Sequence, residues 1–238
     1  AEHEKQFLDM LPVYRMHFVS QLLSGEAVTL EEAAEKMELM DLNFPHPYFC
    51  ALLIEQARSG AELAVEENAL KDILIQEQTG SVLEQEGVLC LNGRKDQAIS
   101  AILNFDGGEA ELERIGEQLA AGFARGSGAY PYLAFGTVET DIFRLHHSCN
   151  KAEKRLRRRF LMPEQHTYYA WRGAAECDFP ADKTCLHGFE NALGSFDLEN
   201  CVANLDALIE RLRSGNYTMS SVFSILESYT KALDQFIN

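Results

Sequence analysis

The sequence predicts an α/β fold, more narrowly an α+β domain with a ferredoxin-like antiparallel sheet, and three observations indicate it. The run 48–56 is almost continuously apolar, which is typical of a central strand covered on both faces. The segment 133–160 reads as a short strand, a glycine turn and an amphipathic helix. Asn92-Gly93, which favours a hairpin turn, lies between two further predicted strands. The predicted order through the middle is β-α-β-β-α-β-α-β, which is the ferredoxin-like plan with one helix and one strand added.

The strand–helix unit at 130–160 is the clearest of these signals. An apolar strand over 130–135 leads into Gly136 and a polar turn, and Thr140 or Asp141 can accept hydrogen bonds from the first free N–H groups of the helix. Steps of three and four residues place the apolar positions of the helix on one face, namely Ile142, Leu145, Cys149, Ala152, Leu156 and Phe160.

The chain begins with two predicted helices. The first covers residues 2–24, and Pro12 either kinks it or begins a new helix. Thr29 and Glu32 form a predicted capping box for the second helix, over 30–40. The first helix carries an apolar stripe of Phe7, Leu11, Tyr14, Phe18 and Leu22. Its spacing is close to the seam of a two-helix packing, so the stripe packs either on its own domain or on a second copy.

Between the central strand and the strand–helix unit, the spacing predicts a helix over 62–79 that stops at Gly80. Its apolar positions are Leu63, Leu70, Ile73 and Leu74. Strands are predicted at 81–91, 97–105 and 166–170, and a helix at 109–125 with Leu112, Ile115, Leu119 and Phe123 facing inward.

From about residue 184 the pattern changes to three helices, predicted at 184–194, 198–214 and 219–237. Three segments follow from this reading: an N-terminal helical signalling segment at 1–41, an α/β domain at 42–172 and a C-terminal helical segment at 173–238. The helical pattern is still running at Asn238, which predicts that the chain is a piece of a longer protein.

Composition narrows the function classes. The net charge of −16 argues against direct contact with DNA or RNA. The sequence has no apolar run near 18 residues and its N-terminus lacks the features of a signal peptide, so we expect no membrane contact from this part of the chain. Six scattered cysteines are typical of reduced thiols in a cytoplasmic protein.

Few residues suggest chemistry. His146, His147 and Cys149 could suggest a metal site, but adjacent histidines on a helix point about 100° apart, and no further motif supplies the three or four ligands of a zinc site. Structural or surface histidines are therefore expected. Cys177 and Cys185 could form a disulfide or a redox pair, and ordinary thiols are favoured.

Two further patterns are open to a bland explanation. The Gly107-Gly108 pair, followed by Glu109 and Ala110, could bind phosphate at a helix start, yet a turn explains it. Residues 144–159 hold seven basic residues and one acid, Glu153, a formal charge of +6 in an acidic chain. Such a helix either docks an acidic partner or a phosphate, or is a solvated face. The basic residues are Arg144, Lys151, Lys154, Arg155, Arg157, Arg158 and Arg159.

Four stretches of the chain resemble the central region of AraC-type transcription regulators of Gram-positive bacteria. They are LPVYRMHFVSQLLSGE, LNFPHPYFCALLI, LAFGTVETDIFRLHHSCNKAEKRLRRRF and, from the segment before the DNA-binding domain, NALGSFDLENCVANLDALIERL. Relatives often have a small-Gly-small pattern followed by a helix with Ser-x-x-x-Ala, here Ser148 and Ala152. The resemblance covers roughly residues 5–238.

The resemblance implies a degenerate nucleotide-cyclase (GGDEF-like) domain. It would lie between an upstream sensor, which is membrane-anchored or a phosphoacceptor receiver of a two-component system, and a C-terminal helix-turn-helix pair missing from this chain. Cyclases of this fold carry metal-binding carboxylates at the end of the first strand and in the central hairpin. Here the strand offers Glu55, the predicted hairpin tip is 92–96 with Asp96 as its acid, and no GGDEF sequence occurs. We therefore expect no catalytic residues, no cofactor and no metal.

These observations lead to one functional hypothesis and two alternatives. The chain is expected to be a non-enzymatic signal-relay domain that forms a homodimer and reaches DNA only through a domain outside this sequence. The alternatives are a small-molecule sensor and a nucleotide-processing enzyme. An enzyme would bind a nucleotide with Mg²⁺, whereas a sensor would be stabilised by a metabolite without metal.

Overall fold

A computed structural model describes residues 2–26, 29–56, 65–95, 98–125, 130–172, 175–180 and 183–237. Eight α-helices and five strands occur in these ranges. The helices are α1 Glu2–Ser24, α2 Leu30–Leu39, α3 Val65–Gln85, α4 Glu109–Arg125, α5 Leu145–Leu156, α6 Lys183–Gly194, α7 Leu198–Ser214 and α8 Met219–Ile237. The strands are β1 Tyr48–Glu55, β2 Leu89–Lys95, β3 Ala98–Phe105, β4 Tyr132–Phe135 and β5 Thr167–Tyr169.

The five strands form one mostly antiparallel sheet in the order β2-β3-β1-β4-β5. Strand β1 is antiparallel to both of its neighbours, β3 and β4, and all six of its interior residues are buried. The parallel pair is β4 with β5, and α5 connects them. This confirms the predicted α+β class, because the first four strands have the ferredoxin-like pairing and the added helix and strand extend it at one edge.

Helices cover both faces of the sheet. On one face α3 and α4 pack on side chains such as Leu52, Leu103 and Phe135, which belong to the larger apolar core. On the other face α1, α2 and α5 pack on Ala51, Leu53 and their neighbours. A central strand that is apolar on both faces requires this arrangement, because either face left open would expose a continuous apolar surface.

Two predictions about α3 and the hairpin are wrong. Gly80 does not stop α3, which continues to Gln85, so the predicted strand at 81–91 is helical in its first half. Leu83 faces the core and extends the helix, and Gly87, at φ 72°, begins the turn that follows. Packing of this last turn outweighs the low helix propensity of a single glycine.

Asn92-Gly93 is not a hairpin turn. Both residues lie inside β2, paired with Ala101 and Ser100, and the connection at 96–97 lies outside the described residues. The glycine has a packing role instead, because a Cβ atom there would come within 2.6 Å of the Val19 side chain of α1. A helix that approaches a strand this closely requires glycine at the contact.

The N-terminal predictions are confirmed for the secondary structure. Helix α1 continues through Pro12 and ends at Gly25, at φ 77°. Thr29 and Glu32 form the capping box of α2, with each side chain bonded to the backbone of the other residue.

The apolar stripe of α1 divides into two parts. Phe18 and Leu22 are buried on the chain's own sheet, whereas Tyr14 is half exposed and Leu11 is partly buried against the core. The side chain of Phe7 lies outside the described part of the chain. The C-terminal part of the predicted stripe, Phe18 and Leu22, therefore packs on the chain's own domain.

The chain divides into two compact units, one of residues 1–159 and 164–172, the other of residues 160–163 and 173–238. The second unit consists of α6, α7 and α8, close to their predicted bounds, around Phe189, Leu208 and Val222. Within the described residues, no helix is both long and apolar enough to cross a membrane.

Candidate functional site

A charged cleft lies at the end of the central strand. Its volume is about 600 Å³. Glu55 is the last residue of β1, Lys95 the last of β2 and Tyr132 the first of β4, so three strands end at this edge of the sheet. Helix α5 and the 3₁₀ turn that follows it, Arg157–Phe160, contribute the opposite wall. The lining residues are Leu53, Glu55, Gln56, Lys95, Ala98, Tyr132, Glu153, Leu156, Arg157 and Arg159.

Glu55 is held by an arginine. Its carboxylate accepts a hydrogen bond from the Arg159 guanidinium at 2.5 Å, and both side chains are about two-thirds to three-quarters buried, at 22% and 31% exposed. Arg159 also donates to the carbonyl of Leu156, which fixes it at the end of α5. Asp96, the second carboxylate considered from the sequence, lies outside the described residues.

The opposite side of the cleft is built around Glu153, the one acid within the basic helix. Its carboxylate pairs with Arg157, one helical turn along α5. Lys95 approaches the same carboxylate at 3.6 Å and the Asn150 side-chain oxygen at 3.5 Å. Hydrogen bonds of an ammonium group are normally 2.7–3.2 Å long, so both contacts of Lys95 are weak.

Tyr132, the aromatic residue among the described lining of the cleft, packs on further rings behind it. The ring of Tyr132 stacks on His166 with centroids 4.8 Å apart and planes 8° from parallel, and Tyr130 meets His166 edge-on at 4.4 Å. Burial raises the pKa of neighbouring Tyr168 above its ordinary value, so this phenol stays neutral. The wall offers an apolar surface beside the charged groups.

The basic helix is partly used within the chain. Arg144 pairs with Glu139 at 3.3 Å, Arg157 with Glu153 and Arg159 with Glu55, while Arg158 is buried. The exposed lysines of the helix are Lys151 and Lys154. At least four of the seven basic residues are therefore paired or buried within this domain. Whether the helix is a docking surface or a solvated face, it offers fewer exposed positive charges than the sequence alone indicates.

The residues that suggested a metal site have ordinary surroundings on the helix. The Nδ1 atom of His146 lies 3.0 Å from the carbonyl of Phe143, and its ring is tilted 39° from that of His147, with centroids 3.9 Å apart. His147 is exposed, and Cys149 is fully buried. Within the described ranges no group of three histidine, cysteine or carboxylate side chains could hold a metal ion.

Ser148 joins helix α5 to the sheet. Its hydroxyl accepts a hydrogen bond from the Ala51 N–H at 3.0 Å and donates to the Thr137 carbonyl at 2.7 Å. A Cβ atom at Gly136 would lie 2.2 Å from the Ser148 carbonyl oxygen, and Ala152 is fully buried one turn later. The small-Gly-small pattern and Ser-x-x-x-Ala therefore allow close contact between strand and helix, with the buried N–H satisfied.

The remaining sequence candidates have ordinary structural environments. Cys177 is an exposed free thiol, and the Cys185 sulfur accepts a hydrogen bond from Arg211 at 3.0 Å, with no disulfide between them. Gly107 has φ 147° and lies against Glu111, so the turn before α4 explains the glycine pair.

Sequence reasoning found Glu55 and Arg159 separately but not the cleft that joins them. The sequence pattern places Lys95 at a predicted hairpin tip and Tyr132 in an apolar strand, and it indicates a binding role for neither residue. One signal could have identified the site, namely the single acid, Glu153, inside a basic helix.

Comparison with known proteins adds no family: no protein-family model matches the chain, and no curated protein is significantly similar to it.

Proposed function

We propose that this chain is a non-enzymatic regulatory domain that relays a signal between an upstream sensor and a DNA-binding domain, as in the AraC-type regulators that it resembles. One observation carries the proposal. Glu55, the carboxylate at the end of the first strand where cyclases of this fold bind metal, forms an ion pair with Arg159. A carboxylate neutralised by arginine is a poor ligand for the Mg²⁺ of phosphoryl transfer.

The family resemblance is supported by what its motif does in the fold. Gly136, Ser148 and Ala152 are buried and fix α5 to β1 and β4. Residues of this kind preserve an architecture without presenting reactive groups. This suits a cytoplasmic domain that transmits a conformational change and no longer has the catalytic activity of the cyclases.

The N-terminal helix is a suitable input arm. At its end, Gly25 lies against His146 of α5, where a Cβ atom would come within 3.1 Å of that ring. About one turn before this end, the Ser20 hydroxyl donates to the Arg94 carbonyl of β2 at 3.1 Å, beside the close contact of Val19 with the strand. A shift of α1 would therefore act on both α5 and β2.

Self-association remains part of the proposal, through the first half of α1. Met10, Val13 and Tyr14 are each nearly half exposed and are spaced three and four residues apart, whereas Phe18 and Leu22 are buried. Sedimentation of Val13→Glu should show loss of a dimer with unchanged circular dichroism. Phe18→Glu serves as the contrasting variant, because it should unfold the chain. Wild-type protein that is monomeric at high concentration would remove the dimer from the proposal.

The enzymatic alternative is tested by incubating the protein with GTP or ATP and Mg²⁺ or Mn²⁺. We expect no cyclic or dinucleotide product. A product that disappears in Glu55→Ala would overturn the proposal. The natural gene beyond Asn238 provides a second test, since the resemblance implies two helix-turn-helix units there. In a third test, a gel-shift assay, we expect the acidic chain alone not to bind duplex DNA at physiological salt.

The cleft favours a second candidate function, a small-molecule sensor. Its volume of about 600 Å³ lies within the ordinary range for small-ligand sites, and it combines apolar walls with a few charged groups. A relay that also senses would respond to a ligand there, whereas a pure relay would not.

A further inference from the structure

We propose that the cleft at the end of β1 binds a small organic anion, a carboxylate or phosphate ester, with Lys95 as its principal contact. This inference deepens the sensor candidate and rests on it, but it does not depend on the family resemblance or on the relay through α1.

The sign of the ligand charge follows from which groups already have close partners. Among the described residues that line the cleft there are three cations, Lys95, Arg157 and Arg159, and two carboxylates, Glu55 and Glu153. Each carboxylate is paired with one arginine at short distance. The remaining charge belongs to Lys95, so these lining residues carry a formal charge of +1 within a chain of −16.

Lys95 is incompletely satisfied. Its ammonium group has three donors, yet among the described residues its contacts are those with Asn150 at 3.5 Å and Glu153 at 3.6 Å. The side chain is 22% exposed, and neither of these two contacts is a short hydrogen bond. An anion in the cleft would supply charge-assisted bonds that neither neighbour provides.

The size and walls of the cleft limit the class of ligand. Leu53, Ala98, Leu156 and the ring of Tyr132 offer an apolar surface to an organic body, which an inorganic ion would leave unused. The strongly negative chain repels long polyanions such as nucleic acid. A compact metabolite with one or two negative charges fits both conditions.

A ligand on Lys95 would act close to the input helix. Lys95 follows Arg94, whose backbone carbonyl accepts the hydrogen bond from Ser20 of α1. Binding would therefore act at the end of β2, next to the point where α1 contacts the strand, which gives a sensor a direct path to the N-terminal arm.

Isothermal titration calorimetry with succinate, glucose 6-phosphate and inorganic phosphate tests the inference. We expect saturable binding of succinate or glucose 6-phosphate that is tighter than that of inorganic phosphate, and the stronger of the two identifies the anionic group. Lys95→Gln should weaken this binding about tenfold or more, because a charge-assisted hydrogen bond is lost. Lys95→Arg should retain most of it.

Lys154→Gln is the matched control, since Lys154 is exposed on α5 and does not line the cleft. It removes the same charge from the chain and should leave the affinity unchanged. Equal weakening in both lysine variants, or no saturable binding of any of the three anions, would overturn the inference. Neither outcome bears on nucleotide turnover, so the relay proposal is judged separately.

Discussion

Helices α3 and α4 lie side by side on the same face of the sheet, and both were predicted from apolar spacing. In α4 the predicted stripe is the buried one: Leu112, Ile115, Leu119 and Phe123 are all 2% exposed or less. In α3 the described part of the predicted stripe faces outward, with Leu70, Ile73 and Leu74 between 41% and 58% exposed, and Leu63 lies outside the described residues. The same kind of pattern therefore corresponds to opposite faces in two neighbouring helices.

Buried apolar residues and polar contacts together set the orientation of α3. Its inward face holds Ile75, Thr79 and Leu83, and the Thr79 hydroxyl is satisfied by the Ile75 carbonyl. Toward its start, Asp72 accepts hydrogen bonds from Gln56 at 2.6 Å and from Arg94 at 2.8 Å. Turning the leucine stripe inward would break these contacts and would expose Ile75 and Leu83. Spacing alone does not reveal this, because it ignores polar residues that have partners across the fold.

The largest expected difference comes from removing one leucine from each helix. Leu119→Ala should lower the free energy of unfolding by about 2–5 kcal/mol, because it opens a cavity in the core. Leu74→Ala, on the exposed stripe, should change it by less than about 0.5 kcal/mol. Urea denaturation followed by circular dichroism measures both. Equal losses would mean that the α3 stripe is covered by another surface in solution.

A second contrast uses glycines. Gly136→Ala would place a Cβ atom 2.2 Å from a buried backbone carbonyl, so we expect a loss of about 3 kcal/mol, at the upper end of overpacking effects. Gly80→Ala, inside α3, meets no atom within 4 Å and should stabilise the protein by about 0.5–1 kcal/mol. Thermal unfolding should separate the two in opposite directions. A stabilising Gly136→Ala would contradict the close contact with Ser148.

Removing Asp72, the polar residue that bonds α3 to Gln56 and Arg94, should have a smaller effect on stability. Asp72→Ala removes the bonds from Gln56 and Arg94, and since Arg94 is 48% exposed we expect a loss of only about 1 kcal/mol. Glu77→Ala, at an exposed position of the same helix, is the control and should change the free energy of unfolding by less than about 0.5 kcal/mol. If both variants behave alike in urea denaturation, Asp72 does not orient the helix.

The smallest effect on stability is expected for Glu113, the residue of α4 that is bonded to Trp171 and Arg172. Glu113 accepts two hydrogen bonds from Arg172 and one from the Trp171 indole. These bonds, of which those from Arg172 have the larger effect, hold the pKa of the Glu113 carboxyl below its ordinary value of 4.5. Its contribution to stability is therefore present above pH 4.5 and is lost as pH falls through the lower pKa of the folded state.

Trp171 is the single tryptophan, so its fluorescence reports this titration. We expect a transition in its emission with a midpoint below pH 4.5 while circular dichroism is unchanged, and we expect Glu113→Gln to abolish the transition. A midpoint at or above 4.5 would show that the contact with Arg172 does not persist in solution.

The sequence by itself determined most of the fold. The apolar run of β1, the spacing in α4 and the capping box at Thr29 act through local geometry, and each is present as predicted. The stripe of α5 is buried from Leu145 to Leu156, but the predicted helix ends there, and Phe160 is 58% exposed in the 3₁₀ turn that follows.

Only the tertiary structure decided which groups meet. Gly93 is a packing glycine because Val19 reaches it from a helix more than seventy residues away. Helix α3 turns its leucines outward because its opposite face, with Ile75 and Leu83, is buried in the core, and because Asp72 is bonded to Gln56 and Arg94. The cleft likewise depends on Glu55 meeting Arg159 across 104 positions of the chain. Periodicity and capping depend on neighbours within a turn or two, whereas an ion pair or a close approach depends on the path of the whole chain, which no local pattern encodes.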